Sequence, residues 1–577
     1  SFVARRAAAP RAPVSMASNE ALLRSPAAHA SLSPSGPAAR RRVLSQLSQH
    51  SRERAASGGW TVRTLSEDAE LHERPVDVIG GRGGGNFSAL CFTVNAVLGA
   101  GVTTIPYAFA RAGLATAAAT LGFVSYLSAL SMRYIVEASA RADALLEYEE
   151  AKAAHGVAAM PPEAFEFKTQ RELTELCGIY YGEVSQRLME VFFLAQGISN
   201  MLLYTSVFSI GAASFLPISK FFGNEGSDCS FDGSLWDQEW SCRASYWVCL
   251  AAFASIQAYV ASKNISDQAL LQIMLTGAGL IAVTLMVGTC ILEMFNDYYR
   301  QCLHRDGSAT DWVAYTCPVP YLANPAGFAF AFGALSSAQM AQFATPELVT
   351  TCVKRYDAPA VFNRAMLFTF IMYLIFGVTA ALYFGSAGVK PLITTNWSHY
   401  SVAFLPDPLA HMLGTAVGSF LSVYPLLTCT AAFPINAVAT GNSLLGAVSA
   451  GEVIDESKGK VRVVVKTCWR EVWVPPRHMR YYTRFAVMSI AWVIATCSTS
   501  LTKIVTVSGL LGYFFAFGVP AAIQLASRRR CRAALGRCET PYSAGVQSGD
   551  AAAGAMLVFF FVSITYLACG IISGESD

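Results

Sequence analysis

Charge is what this 577-residue chain has least of. Asp, Glu, Lys and Arg make up 14% of it, where a soluble globular protein carries roughly 25%. That deficit excludes an ordinary soluble enzyme, and it leaves no dense basic surface for nucleic acid. Catalytic signatures are missing as well. There is no HExxH, no GxSxG and no Cys/His cluster at metal-ligand spacing, and none of the eight histidines lies clearly inside an apolar run. Neither catalysis nor a resident cofactor is expected. A pore-lining polar repeat or charged ring, the mark of a channel, is also missing.

What is present is apolar sequence: 53% hydrophobic residues and a mean hydropathy of +0.40. Runs long enough to span occur near 89–110, 114–136, 189–216, 245–261, 267–291, 324–344, 364–385, 403–440, 484–500, 503–525 and 553–573. Each approaches the roughly 20 residues that cross a hydrocarbon core of about 30 Å. The expected fold is an all-α polytopic membrane protein with about eleven transmembrane helices.

Residues 1–86 differ from the rest. They hold twelve arginines among Ala, Ser, Pro and Gly with no long apolar run, a composition that buries too little surface to order itself. We read them as a disordered cytosolic tail and 87–577 as the membrane domain. Met16 is an alternative start, and the Arg- and Ser-rich first 60 residues also resemble a transit peptide.

Lys and Arg placement orients the spans. With the tail inside, inner loops hold Arg141, Lys152, Lys168, Arg171, Arg187, Lys263, Lys354, Arg355, Arg364 and the two basic stretches 458–484 and 528–537. Outer loops keep only Arg111, Lys220, Arg243, Arg300, Arg305, Lys390 and Lys503. The expectation is N-terminus cytosolic and C-terminus extracellular or lumenal, in the plasma membrane or a vacuolar or endolysosomal one. Of the sequons, only Asn396 (NWS) then faces outward for glycosylation. Cys229, Cys242, Cys302 and Cys317 fall in outer loops, where disulfides persist, and four cysteines allow three pairings.

Two spans carry breaks. NAVLGAGVTTIP (95–106) places Gly99, Ala100 and Gly101 ahead of Pro106, and FGALSSAQMAQ (332–342) contains Gly333, Ser336, Ser337 and Gln339. A helix interrupted inside a bilayer exposes N–H and C=O groups that must find partners, so such breaks survive where they line a cavity. The N-terminal end of a half-helix suits an anion and the C-terminal end a cation. The breaks fall in corresponding places of two five-helix halves, spans 1–5 and 6–10. That is the pattern of an inverted repeat with a midplane site; close packing through small residues is the plainer alternative.

NAVLGAGVTTIPYAFARAGL (95–114), ELTELCGIYYGEVSQ (172–186), TPEL (345–348), YPLLTCTAAFPIN (424–436) and VSGLLGYFFAFGVPA (507–521) follow one another in order. Together they resemble the amino acid/auxin permease family, which includes sodium-coupled neutral and proton-coupled amino acid transporters. The resemblance implies an inverted 5+5 repeat like the bacterial leucine/sodium symporter, plus one C-terminal helix. It also implies alternating-access transport of neutral or cationic amino acids coupled to Na⁺ or H⁺. By position, the amides of Ala100, Gly101 and Val102 would take the substrate carboxylate, with Gly99, Gly333, Ser336 and Ser337 around it. Carbonyls of Val94, Ala96 and Val97 and the Asn95 side chain would face a cation, completed by a hydroxyl of Thr428 or Thr430. An interhelical hydrogen bond is the alternative role for Asn95, and bonding back to their own helix is that for the threonines. Glu190 is a candidate proton relay, or else a partner for Arg187. The expected partners are the amino acid and the lipid bilayer; a monomer suffices for this reading. The competing reading is an amino acid sensor signalling through the tail.

Overall fold

The computed structural model describes residues 60–63, 85–98, 100–155, 165–216, 218–223, 229, 235–262, 269–294, 322–352, 354–390, 393–397, 407–455, 460–466, 471–474, 476–497 and 501–572. The chain divides into two units, residues 1–63 with 452–462 and residues 64–451 with 463–577. In the smaller unit, strand β1 (Trp60–Arg63) pairs antiparallel with residues 452–455 of β2 (Ser449–Asp455), Trp60 opposite Asp455. In the larger, residues 463–466 of β3 (Lys460–Lys466) pair antiparallel with β4 (Glu471–Val474), Val463 opposite Val474. These strands add to the expected all-helical architecture, and β1 interrupts the expected tail. The alternation in KVRVVVK was the available signal.

The other regular elements among the described residues of the larger unit are helices. The first expected span is α1 (Gly85–Leu98), a 3₁₀ turn (Ala100–Thr104) and α2 (Ile105–Ala112), bent by 47°. Then come α3 (Leu114–His155), α4 (Leu173–Tyr181), α5 (Glu183–Phe215), α6 (Ile218–Phe221), α7 (Trp240–Ala261) and α8 (Ala269–Met294). The second half begins with α9 (Pro325–Ala338), a 3₁₀ turn (Gln342–Ala344) and α10 (Thr345–Thr350). It continues with α11 (Ala358–Gly388), α12 (Asp407–Val448), α13 (Pro476–Ala495), α14 (Leu501–Tyr513), α15 (Val519–Leu535) and α16 (Asp550–Ile572).

Eight helical segments among the described residues are long and apolar enough to cross a membrane, and the bent α1–α2 pair makes nine. The protein is an all-α, multi-pass integral membrane protein. The expected count of eleven is reached only by adding two segments that fall short on length or apolarity. The sixth is split into α9 and α10, and α13 opens on the polar PRHMRYYTR. At the other extreme, 42-residue α3 is about 60 Å long at 1.5 Å per residue, twice the hydrocarbon thickness. Its far end therefore projects beyond the bilayer.

That projecting end overturns one sequence expectation. Arg141, counted above as a loop cation, is fully buried beside equally buried Glu137. Its guanidinium donates to Glu137 Oε2 at 2.6 Å, Gln524 Oε1 at 2.8 Å, Ser527 Oγ at 2.9 Å and the Cys538 carbonyl at 2.7 Å. Glu137 also accepts from Gln524 Nε2 at 2.8 Å and from the Ser548 hydroxyl. With its charges paired and hydrogen-bonded, the cluster tolerates burial and fastens α3 to α15 and to the turn before α16.

Between α14 and α15 the chain makes a π turn, Phe514–Gly518. Such a turn disturbs the ladder of helical hydrogen bonds, and the Ser131 hydroxyl donates to the Ala516 carbonyl there. A disulfide joins Cys229 to Cys242; Cys302 and Cys317 lie outside the described residues.

Candidate functional site

The site is built by α2 and α9, which lie side by side and run in opposite directions. At one end, Asn324 N–H donates to the Ala112 carbonyl at 2.8 Å, and its side-chain amide to the Arg111 carbonyl at 2.8 Å. At the other, a Cβ on Gly101 would stand 2.7 Å from the Ala338 Cα. Only glycine admits so close an approach. The two helix breaks therefore touch, and the first helix of each half enters with opposite sense.

Pro106 explains the first break locally. It sits in the first turn of α2, where its missing N–H costs nothing and its fixed φ starts a new helix. Thr104 Oγ donates to the Gly101 carbonyl at 2.9 Å and holds the 3₁₀ turn. The second break falls at Gln339–Ala341, beyond the small residues that suggested it. Gln339 N–H and Met340 N–H close weak turns onto Ser336 and Ser337 carbonyls at 3.2 and 3.4 Å. Ala341 N–H is capped by the Gln342 side chain at 3.0 Å.

Fully buried Tyr373, on α11, spans both breaks. Its hydroxyl lies 3.0 Å from the Val97 carbonyl and 3.5 Å from that of Ala338.

A polar seam runs down α5 beside the second break. Gln196 Nε2 donates to Asn200 Oδ1 at 2.9 Å, Ser508 Oγ to the same oxygen at 2.7 Å, and Asn200 Nδ2 to Asn436 Oδ1 at 3.3 Å. Met340, inside the break, packs over Gly512, where an added Cβ would stand 2.4 Å from Met340 Cε and 3.2 Å from Gln196 Nε2. Among the described residues, Gln196 Oε1, Ser336 Oγ, Gln339 Nε2, Gln342 Nε2 and Tyr424 Oη are buried with no hydrogen-bond partner. Buried polar atoms left this way cost about 1–3 kcal/mol each, and a bound polar molecule would satisfy them.

The expected site residues divide accordingly. Gly101 stands at the contact, Val102 is buried beside it, and Ala100 opens the 3₁₀ turn; Gly99 lies outside the described residues. Ser336 is buried near the break, while Ser337 Oγ turns back to the Ala334 carbonyl at 2.9 Å. Gly333 lies elsewhere: the one neighbour of a Cβ there is Leu567, at 3.8 Å on α16. Val94 and Asn95 are buried and Ala96 half-buried on α1, and the Val97 carbonyl accepts Tyr373. Thr428 and Thr430 donate to the Pro425 and Leu426 carbonyls of their own helix, at 3.0 and 2.7 Å. Glu190 accepts from Gln186 at 3.0 Å, whereas Arg187 pairs with Glu183. Asn396 is half-buried; its amide donates to the Gly388 carbonyl at 2.7 Å and accepts from Lys390 N–H at 3.2 Å. A glycan there would replace one of the two amide hydrogens and leave only the other to donate.

Sequence reasoning reached Gln339 of the second break, but Tyr373, Gln342 and the α5 seam escaped it. A signal did exist for the seam: Gln196, Asn200 and Tyr204 recur every four residues, one helix face, within an apolar run.

These features define a multi-pass helical membrane protein with two apposed broken helices. The chain is similar to "Transmembrane protein 104" of Gallus gallus, 22% identical over 403 residues that cover 62% of this chain and 74% of the relative. It is also similar to the Homo sapiens protein of that name, at 21% with the same coverage, and to the Caenorhabditis elegans homologue, at 21% over 61% of this chain and 67% of the relative. Among solved structures it is similar to MhsT in complex with L-phenylalanine, at a TM-score of 0.48 and 11% identity, covering 84% of this chain and 99% of that one. No protein-family profile matches the chain.

Proposed function

We propose that this protein is a secondary active transporter that moves amino acids across a membrane by alternating access, driven by a Na⁺ or H⁺ gradient. The observation that carries the reading is the contact of two antiparallel broken helices at Gly101 and Ala338. Such a pair of breaks presents amide donors at the start of one half-helix and carbonyls at the end of another. A zwitterion, anionic at one end and cationic at the other, is the small molecule that matches it. The amides of Ala100, Gly101 and Val102 take the carboxylate. Around the breaks, the partnerless polar groups are amides and hydroxyls, which favours a neutral over a cationic side chain.

In this reading the two halves are inverted repeats, the N-terminus is cytosolic, and the protein works in the plasma membrane or an endolysosomal membrane. The test is uptake of a labelled amino acid panel into proteoliposomes under imposed Na⁺ or pH gradients. Accumulation of at least one neutral amino acid is the expected result. If none moves under either gradient, the proposal fails.

A further inference from the structure

The C-terminal ends of α1 and α9 meet inside the bundle, and each brings carbonyl oxygens without helical donors and the negative end of a helix dipole. Two converging carbonyl ends at membrane depth make an electronegative spot, where a cation would ordinarily sit. In this chain the spot is filled from within. Val97 is the penultimate residue of α1 and Ala338 the last of α9. Their carbonyls converge on one O–H, that of Tyr373, at 3.0 and 3.5 Å. The Tyr373 ring is wholly buried and occupies the approach from α11.

We propose that the Tyr373 hydroxyl takes the place of a sodium ion between the two broken helices, so that their apposition is independent of Na⁺. One phenolic proton shared between two carbonyls supplies the positive charge density that the dipole ends require. Unlike an ion, it is tethered to α11 and never leaves. Tyr373 is thus a positioning residue. Sodium binding at this point requires the hydroxyl to be removed.

The inference concerns the coupling ion of the proposed transporter, but it rests on the carbonyl geometry and is tested without any amino acid. The full-length protein, purified in detergent, is unfolded thermally in NaCl, KCl and choline chloride at equal ionic strength. The wild type is expected to unfold at one temperature in all three salts. Tyr373→Phe leaves two buried carbonyls facing a hydroxyl-sized gap; it is expected to start lower and to gain a sodium-specific rise of several degrees. A sodium-specific rise in the wild type overturns the proposal. So does a folded Tyr373→Phe protein that is weakened equally in all three salts, which would mark a structural role alone. Should the variant not fold, the wild-type comparison decides by itself. A transporter that moves no amino acid would leave this outcome untouched.

Discussion

Gly101 and Ala338 approach so closely that a single methyl group on the glycine would stand 2.7 Å from the alanine Cα. Two chain segments more than two hundred residues apart are thus in backbone contact where both helices break.

Gly101→Ala is therefore expected to force the breaks apart. Overpacking of this kind costs about 1–3 kcal/mol, read as a lower unfolding temperature in detergent. Gly101→Leu is expected to abolish uptake while the protein still inserts, since its side chain runs into Ala338 and must displace the amides proposed to hold the carboxylate. Normal uptake by that variant would refute the placement of the site.

Removing one member of the Glu137–Arg141 pair strands the other charge in a sealed interior. Glu137→Gln is expected to lower stability by about 3–5 kcal/mol. A double variant, Glu137→Gln with Arg141→Met, is expected to recover part of that loss. Equal losses in single and double variants would mean that the pair contributes through packing alone.

Glu172, the residue before α4, has its carboxyl pushed well above the ordinary 4.5, first by burial and then by the carboxylates of Glu347, Glu175 and Glu190. The unfolded chain gives up this proton near 4.5, and the folded protein keeps it to higher pH. Between those points the native state binds more protons, so this group's contribution to stability falls as pH rises. The unfolding temperature of wild type relative to Glu172→Gln is expected to decline from pH 5 upward. A difference that is flat or rises with pH would contradict this environment for the group.

The Cys229–Cys242 bridge closes a loop with a sequence separation of 13, and loops of that size are stabilised by about 3 kcal/mol when cross-linked. Reduction is expected to lower the unfolding temperature, and peptide mapping under non-reducing conditions should recover the linked pair. Recovery of Cys229 bonded to Cys302 or Cys317 would disprove the pairing.

Much of this molecule was legible in its sequence because a bilayer imposes long apolar runs, and those runs fell where the helices are. The first break was legible for a related reason: Gly101 and Pro106 each do something there that few other residues can. The second break lies inside the expected stretch 332–342 but past its small residues, because it is not made by them. It is held by side chains reaching in, Gln342 onto the Ala341 N–H and Tyr373 onto the Ala338 carbonyl. Nothing local in FGALSSAQMAQ announces a partner 35 positions away. Arg141 was misassigned for the same reason. Charge counting treats every arginine as solvated, and only tertiary packing shows that Glu137 and Gln524 surround this one.

The fastening of α2 to α9 has a mechanical consequence. They are joined at both extremities, by the Asn324 bonds to Arg111 and Ala112 and by the nested backbones at Gly101 and Ala338. Two rods clamped at each end behave as one beam. A push on either half-helix is delivered to its antiparallel mate without lost motion, and the pair can tilt against the rest of the bundle only as a single lever.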